Sequence, residues 1–221
     1  MIKNKIFLDD RIFIAGASGM AGSAIKRALI KKGYGKASNG GLILTPNSNE
    51  LNLLDHSKVN AWFDKYKPNI TILAAAKVGG ILANKSNPTD FILNNIKIQT
   101  NVIEASWKKN VRRLLFLGSS CIYPKFSMQP IKEEYLLTGQ LETSNEFYAI
   151  AKIAGIKLCE ALKKQHNFDA ISLMPTNLYG PGDNYHPTES HVMASLISKF
   201  CEAKKKSHKI VTCWGSGNPL R

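Results

Sequence analysis

The sequence predicts an α/β protein, a doubly wound parallel sheet of Rossmann type, on three observations. Five short apolar runs alternate with longer segments of helical periodicity along the 221 residues, the signature of βα units. The first run leads directly into a glycine-rich turn, Gly16-Ala17-Ser18-Gly19-Met20-Ala21-Gly22, that opens a helix. Three later runs end in turns of small and polar residues, where ligands sit on an open parallel sheet.

Taken in order, the first strand is expected over residues 11–15 and stops at Gly16. A helix over 21–32 follows, closed by Gly33 as a C-cap candidate. Residues 33–41, with their Gly, Ser, Asn and Lys, read as a surface loop before a second strand at 42–45. Asp55 caps a helix that runs to Tyr66, and the third strand spans 70–74. The helix over 89–109 shows a buried stripe of Phe91, Ile98, Val102 and Ala105. A fourth strand at 113–117, a helix at 146–164 and a fifth strand at 170–174 continue the alternation. Beyond Pro175 comes a loop rich in Gly, Pro and Asn, then a helix over 191–203 and a short strand at 210–214.

Thirty Lys and Arg against 16 Asp and Glu give a formal charge of +14. A nucleic-acid binder would gather those cations on one face among aromatics. Here they fall in scattered clusters such as Lys31-Lys32, Lys163-Lys164 and Lys204-Lys205-Lys206, near helix ends where cations complement the helix dipole. That argues against nucleic acid, while a diffuse positive field still collects an anionic nucleotide substrate. The four cysteines have no CxxC spacing, so neither a metal site nor a disulfide framework is suggested. The first ten residues hold too short an apolar run for a signal peptide, and Lys77 interrupts the most apolar stretch. A cytoplasmic protein with no membrane partner is the expectation.

Glycines between a first strand and its helix let backbone N–H groups approach a pyrophosphate. The second strand ends in Thr45-Pro46-Asn47-Ser48-Asn49, with no acid before Glu50. The carboxylate that holds the ribose 2′-hydroxyl of NAD is missing, which favours NADP, although no Arg stands there either. Turns at 75–80, at Gly118-Ser119-Ser120-Cys121 and at Pro175-Thr176-Asn177-Leu178 would line one cleft at the carboxyl ends of their strands. Tyr148 and Lys152 share a helix face at i and i+4. An ammonium beside a phenol is expected to lower the phenol's pKa, so that it can give a proton to a carbonyl oxygen held by Ser119. Taken alone, the pair also describes a snorkelling Lys beside a half-buried ring. Cys121 reads as structural or catalytic alike, and His186 and His191 lie in a loop where a His near a catalytic Tyr acts in proton transfer.

The set from Gly16 to Gly22 with Ser119, Tyr148 and Lys152 resembles the extended short-chain dehydrogenase/reductase family. Residues 73–81, 116–125, 148–159 and 174–181 are similar to its branch of GDP-sugar epimerase-reductases. The resemblance implies NADPH-dependent 3,5-epimerisation and 4-reduction of GDP-4-dehydro-6-deoxy-D-mannose to GDP-L-fucose. Ser119, Tyr148 and Lys152 would act at the C4 carbonyl oxygen, with Cys121 and His191 exchanging protons at the flanking carbons. It places the cofactor against Gly16, Ala17, Ser18, Gly19, Met20, Ala21 and Gly22, against Leu117 to Ser120 and Lys152, and against Pro175, Thr176, Asn177, Leu178 and His191. Lys77 would lie against nicotinamide or substrate, and Lys199, Trp214 and Arg221 at the GDP-sugar. Residues 1–180 would form the NADP-binding domain and 181–221 the start of an incomplete substrate-binding domain, in a homodimer formed through the helices at 89–109 and 146–164.

The chain departs from the family pattern at Ser18, Pro46 and Ser48, where Arg is common, leaving Lys36 or Ser48 to meet a 2′-phosphate. Lys199 likewise stands for an Arg. Full-length relatives continue beyond Arg221, so a fragment or a naturally shortened gene product is expected, with apolar surface left uncovered. Two other readings remain at this stage. One is a non-catalytic NADP-binding remnant. The other is a different nucleotide-sugar epimerase or dehydratase, which shares Tyr148 and Lys152 but gives no task to Cys121 and His191.

Overall fold

The computed structural model describes residues 6–186 and 190–213. Five parallel strands, β1 (Arg11–Ala15), β2 (Leu42–Leu44), β3 (Ile70–Leu73), β4 (Arg113–Leu117) and β5 (Ala170–Leu173), form one sheet in the order β2-β1-β3-β4-β5. The helices are α1 (Met20–Lys31), α2 (His56–Tyr66), α3 (Ile81–Ser86), α4 (Pro88–Lys108), α5 (Glu146–His166) and α6 (Val192–Lys205).

Alternation along the strands decides which helices cover which face. Phe13 and Ala15 of β1, Leu73 of β3 and Phe116 of β4 belong to one apolar cluster with Trp62 and Phe63 of α2, Val102 and Ile103 of α4, and Ile153 and Ile156 of α5. Ile12, Ile14, Ile70 and Ile72 belong to the other, with Ile25 and Leu29 of α1 packed against it. Helices on both faces make the sheet doubly wound, as the sequence predicts.

Local chemistry sets the helix ends. Asp55 Oδ1 accepts the Lys58 N–H at 3.0 Å, and Pro88 opens α4 at a position that needs no donor. Gly33 follows the end of α1 at φ +88°, and Tyr34 N–H bonds back to the Leu29 carbonyl at 3.1 Å. The sequence reading misses α3, which is only six residues long and too short to show a period. It also expects a strand at 210–214. Residues 210–213 form none, Ile210 being 83% exposed with no strand beside it among the described residues, and Trp214 lies outside them.

From β1 the chain winds to β2 on one side and then crosses to β3 on the other. The crevice at the carboxyl ends of β1 and β3 is therefore the switch point where ligands bind on such sheets.

Candidate active site

Gly16 ends β1 at φ +82°, and a Cβ there would lie 2.7 Å from the Cα of Ala75 at the end of β3. Only glycine lets the turn sit in the crevice. A Cβ on Gly22 would lie 2.1 Å from the Gly16 carbonyl oxygen, so its absence is what allows α1 to start directly beneath the turn. Gly19 is the N-cap of α1 and offers no capping side chain, which leaves the first N–H groups of the helix open to an anion. Beside this turn lies a cavity of about 250 Å³ walled by Gly16, Ser18, Pro46, Asn47, Ser48 and Leu51. Its lining fits the adenosine half of a dinucleotide, and no carboxylate is part of it. Lys36 does not serve this cavity. Its carbonyl accepts the Gly41 N–H at 3.3 Å just before β2 begins, at the opposite, amino edge of the sheet.

The second part of the site is built on the turns after β4 and β5. Gly118 N–H donates to the Leu173 carbonyl at 2.7 Å and Ser120 N–H to the Pro175 carbonyl at 3.1 Å, which holds the two turns together. Between those bonds Ser119 is pinned with its hydroxyl free for side chains. Its Oγ accepts the Cys121 thiol at 3.1 Å and the Cys121 N–H at 3.4 Å, and the Tyr148 phenol lies near enough for the same hydroxyl to oppose the rise of its pKa. Lys152, one turn beyond Tyr148 on α5, is 3% exposed. Its Nζ donates to the Leu117 carbonyl at 2.8 Å and lies 4.8 Å from the Phe116 ring centroid and 5.8 Å from that of Tyr148. Phe91 of α4 meets the Tyr148 ring edge-on at 6.4 Å and fixes its plane.

Electrostatics here depart from the sequence expectation. Burial raises the Tyr148 phenol above its ordinary pKa, and a charge on Cys121 would push it the same way, with only the Ser119 hydrogen bond opposing. Lys152 is not among the groups that shift it, and burial is the largest cause. Burial likewise depresses the Lys152 ammonium to about 8. Cys121 is raised by burial, against the Ser119 hydrogen bond and the Lys152 charge, so at neutral pH it is a thiol. The site therefore offers a neutral phenol with a proton to give, a hydroxyl to hold an oxygen beside it, and a thiol on the same hydroxyl.

The structure does not join His191 to this cluster: it is the exposed N-cap of α6. His186 and the turn residues Thr176, Asn177 and Leu178 are also exposed, while Lys199 is half-buried on α6. Trp214 and Arg221 lie outside the described residues. Two supporting residues escape the sequence reading. Asn95, 2% exposed on α4, accepts the Lys77 N–H at 2.8 Å and donates to the Lys77 carbonyl at 3.0 Å, clamping the turn after β3. Gln99 donates to the Ala151 carbonyl immediately before Lys152. The signal for both is a polar residue one turn further along the buried stripe that starts at Phe91.

Comparison with known proteins bears on the family and the fold. The profile of the family described as "NAD dependent epimerase/dehydratase family" matches residues 12–221. The chain is 53% identical over 219 residues to "Probable GDP-L-fucose synthase 1" of Oryza sativa subsp. japonica, covering 97% of this chain and 65% of that protein. It is 52% identical over 211 residues to the GDP-L-fucose synthase of Escherichia coli (strain K12), covering 96% and 64%. A solved GDP-L-fucose synthetase from Naegleria fowleri bound to NADP superposes with a TM-score of 0.86 at 29% identity, over 98% of this chain and 69% of that one. The chain thus spans about two-thirds of the length of the relatives it matches.

Proposed function

The chain belongs to the NAD dependent epimerase/dehydratase family, and we propose that it carries the NADP-binding half and the catalytic centre of a GDP-L-fucose synthase. The observation that supports this reading most directly is the meeting of Tyr148 and Cys121 on the one hydroxyl of Ser119. A simple reductase needs the phenol and the hydroxyl. A thiol on the same oxygen adds a proton-exchanging group beside the carbonyl, which suits a 4-keto sugar whose C3 and C5 hydrogens are acidic.

In this reading the substrate's C4 oxygen sits between Ser119 Oγ and the Tyr148 phenol, whose hydrogen bonds stabilise negative charge on that oxygen when C3 or C5 loses a proton. Cys121 exchanges protons at those carbons, and His191, which stands apart from the cluster in this structure, is the second exchanging group the reading calls for to invert both centres. NADPH would then supply a hydride to C4, and Tyr148 gives its proton to the oxygen, so the carbonyl becomes a hydroxyl. Lys152 and the turn at Pro175 to Leu178 orient the nicotinamide end, while Gly16 to Gly22 hold the pyrophosphate.

Residues 181–221 begin the substrate-binding half in this reading, with Lys199, Trp214 and Arg221 toward the GDP. A second copy of the chain packs against α4 and α5, where Leu93, Phe147 and Ile150 are 41–44% exposed. Among the described residues no helix is long and apolar enough to cross a membrane, and the reading places the protein in the cytoplasm. Incubation with GDP-4-dehydro-6-deoxy-D-mannose and NADPH should consume NADPH and yield GDP-L-fucose, identified by its proton couplings. NADPH consumption with retained manno stereochemistry would replace the reading by that of a plain 4-reductase.

A further inference from the structure

Lys26 lies on α1, and its Nζ donates to Thr45 Oγ1 at 3.3 Å. Thr45 directly follows β2, and the next three residues, Pro46, Asn47 and Ser48, wall the cavity of about 250 Å³ together with Gly16 and Ser18. The ammonium is thereby carried to the carboxyl edge of the second strand, where a ribose 2′-substituent faces the protein in sheets of this kind. Lys26 is half-buried, and none of the ion pairs among the described residues includes it. Its one partner here is a neutral hydroxyl, and an ammonium has two further donors to offer. Glu50, the acid of that turn, accepts the Asn47 N–H at 2.8 Å and lines the adjoining groove with Thr45, Lys58, Trp62 and Lys65, outside the lining of the cavity itself.

A half-buried cation with no ion pair among the described residues, hydrogen-bonded to the residue just before the wall of a cavity that no carboxylate lines, suits an anion. Resting on the reading of this cavity as the dinucleotide site, we propose that Lys26 supplies the cation for the 2′-phosphate of NADP, reaching across from the helix, with Ser18 and Ser48 of the cavity wall as the hydroxyls available to the same phosphate. The charge thus comes from α1 at a position where the turn itself offers none. A lysine meets phosphate as a point charge rather than a fork, so the contact is sensitive to salt.

Calorimetric titration of the purified chain with NADP⁺, NAD⁺ and 2′-AMP tests this. For Lys26→Met, which keeps the stem and removes the charge, NADP⁺ and 2′-AMP should bind about tenfold to hundredfold more weakly, the value of a charge-assisted contact. NAD⁺ binding should stay unchanged, which also reports an intact fold. Lys26→Arg should restore discrimination in favour of NADP⁺. Unchanged NADP⁺ affinity in Lys26→Met, or an equal loss for NAD⁺ and NADP⁺ in both variants, overturns the assignment. An unaltered chain that binds NAD⁺ as tightly as NADP⁺ overturns Lys26 alone, whereas one that binds neither overturns the dinucleotide reading with it.

Discussion

Cys121 Sγ lies 3.1 Å from Ser119 Oγ, the hydroxyl that also acts on the Tyr148 phenol. One hydroxyl therefore orients two acids, and substitution should separate their tasks. Cys121→Ser is expected to slow exchange of the substrate's C3 and C5 hydrogens for solvent deuterium by about 100-fold, the size of a lost acid–base group. Reduction of an already epimerised substrate should change little. Ser119→Ala should impair both, because the oxyanion loses a donor and the phenol and thiol lose their shared partner. Deuterium incorporation by NMR and NADPH consumption read the two steps independently; equal loss of both in Cys121→Ser would remove the thiol from proton exchange.

Lys152 gives a stability prediction with a definite sign. Burial lowers its ammonium to about 8, while the unfolded chain holds that proton until about pH 10.4. Between those values the unfolded chain binds more protons than the folded one, so this group's contribution to stability rises with pH across the window. Below about pH 8 both forms are charged and the fold bears the full cost of burying a cation, on the order of 3 kcal/mol for a displacement of this size. Lys152→Met should therefore melt higher than the parent at pH 7, and the difference should shrink as the pH passes about 8 toward 10. Scanning calorimetry across that range decides it; a constant difference would mean that the lysine titrates as in water.

Gly22 and Gly19 stand in the same turn but face different constraints. A Cβ on Gly22 would meet the Gly16 carbonyl oxygen at 2.1 Å, backbone against backbone, whereas on Gly19 it would stand 3.4 Å from the same oxygen. Gly22→Ala should thus push α1 off the turn, costing about 1–3 kcal/mol as an overpacked contact and weakening dinucleotide binding. Gly19→Ala should fold like the parent. Urea melts of both variants test the contrast, and similar midpoints would show that the helix can shift freely.

Strands β1 to β5 are legible because a buried parallel strand is a short apolar run, and the turns after β1 and β4 because their chemistry is local. That Tyr148 and Lys152 share a helix face is legible from spacing. Their electrostatics are not: the pattern pairs a cation with a phenol, but burial is what shifts both groups most, and burial is a property of the assembled fold. The same limit hides Lys26, whose partner Thr45 lies 19 residues away with no periodicity to connect them. It also explains the misplaced role for Lys36, which is near β2 in sequence but at the opposite end of the strand from the cavity. His191 reads as a catalytic partner by resemblance, and the helix that starts there is expected from the sequence, but where α6 sits relative to the Tyr148 cluster depends on packing that no local pattern encodes.

Asn95 carries the last prediction. Its Oδ1 accepts the Lys77 N–H at 2.8 Å, and its Nδ2 donates to the carbonyls of Lys77 at 3.0 Å and Phe91 at 2.7 Å. Asn84 adds bonds from its own amide to the Gly79 and Gly80 carbonyls, 3.0 Å each, so two amides hold the exit of β3 over the switch-point crevice. Asn95→Asp keeps the shape and the acceptor but turns two donors into an oxygen facing two carbonyls. Ionised, that carboxyl is buried against like partial charge, so its folded pKa must lie well above the unfolded value of about 3.9. The folded variant then holds a proton that the unfolded chain has lost, and its stability falls as pH rises through about 4 toward that raised value. Denaturant melts should show Asn95→Asp close to the parent near pH 4 and less stable by roughly 1–3 kcal/mol at pH 7, with faster hydrogen exchange at the Lys77 amide. An equal deficit at both pH values would mean that water reaches the side chain and that the clamp is not closed.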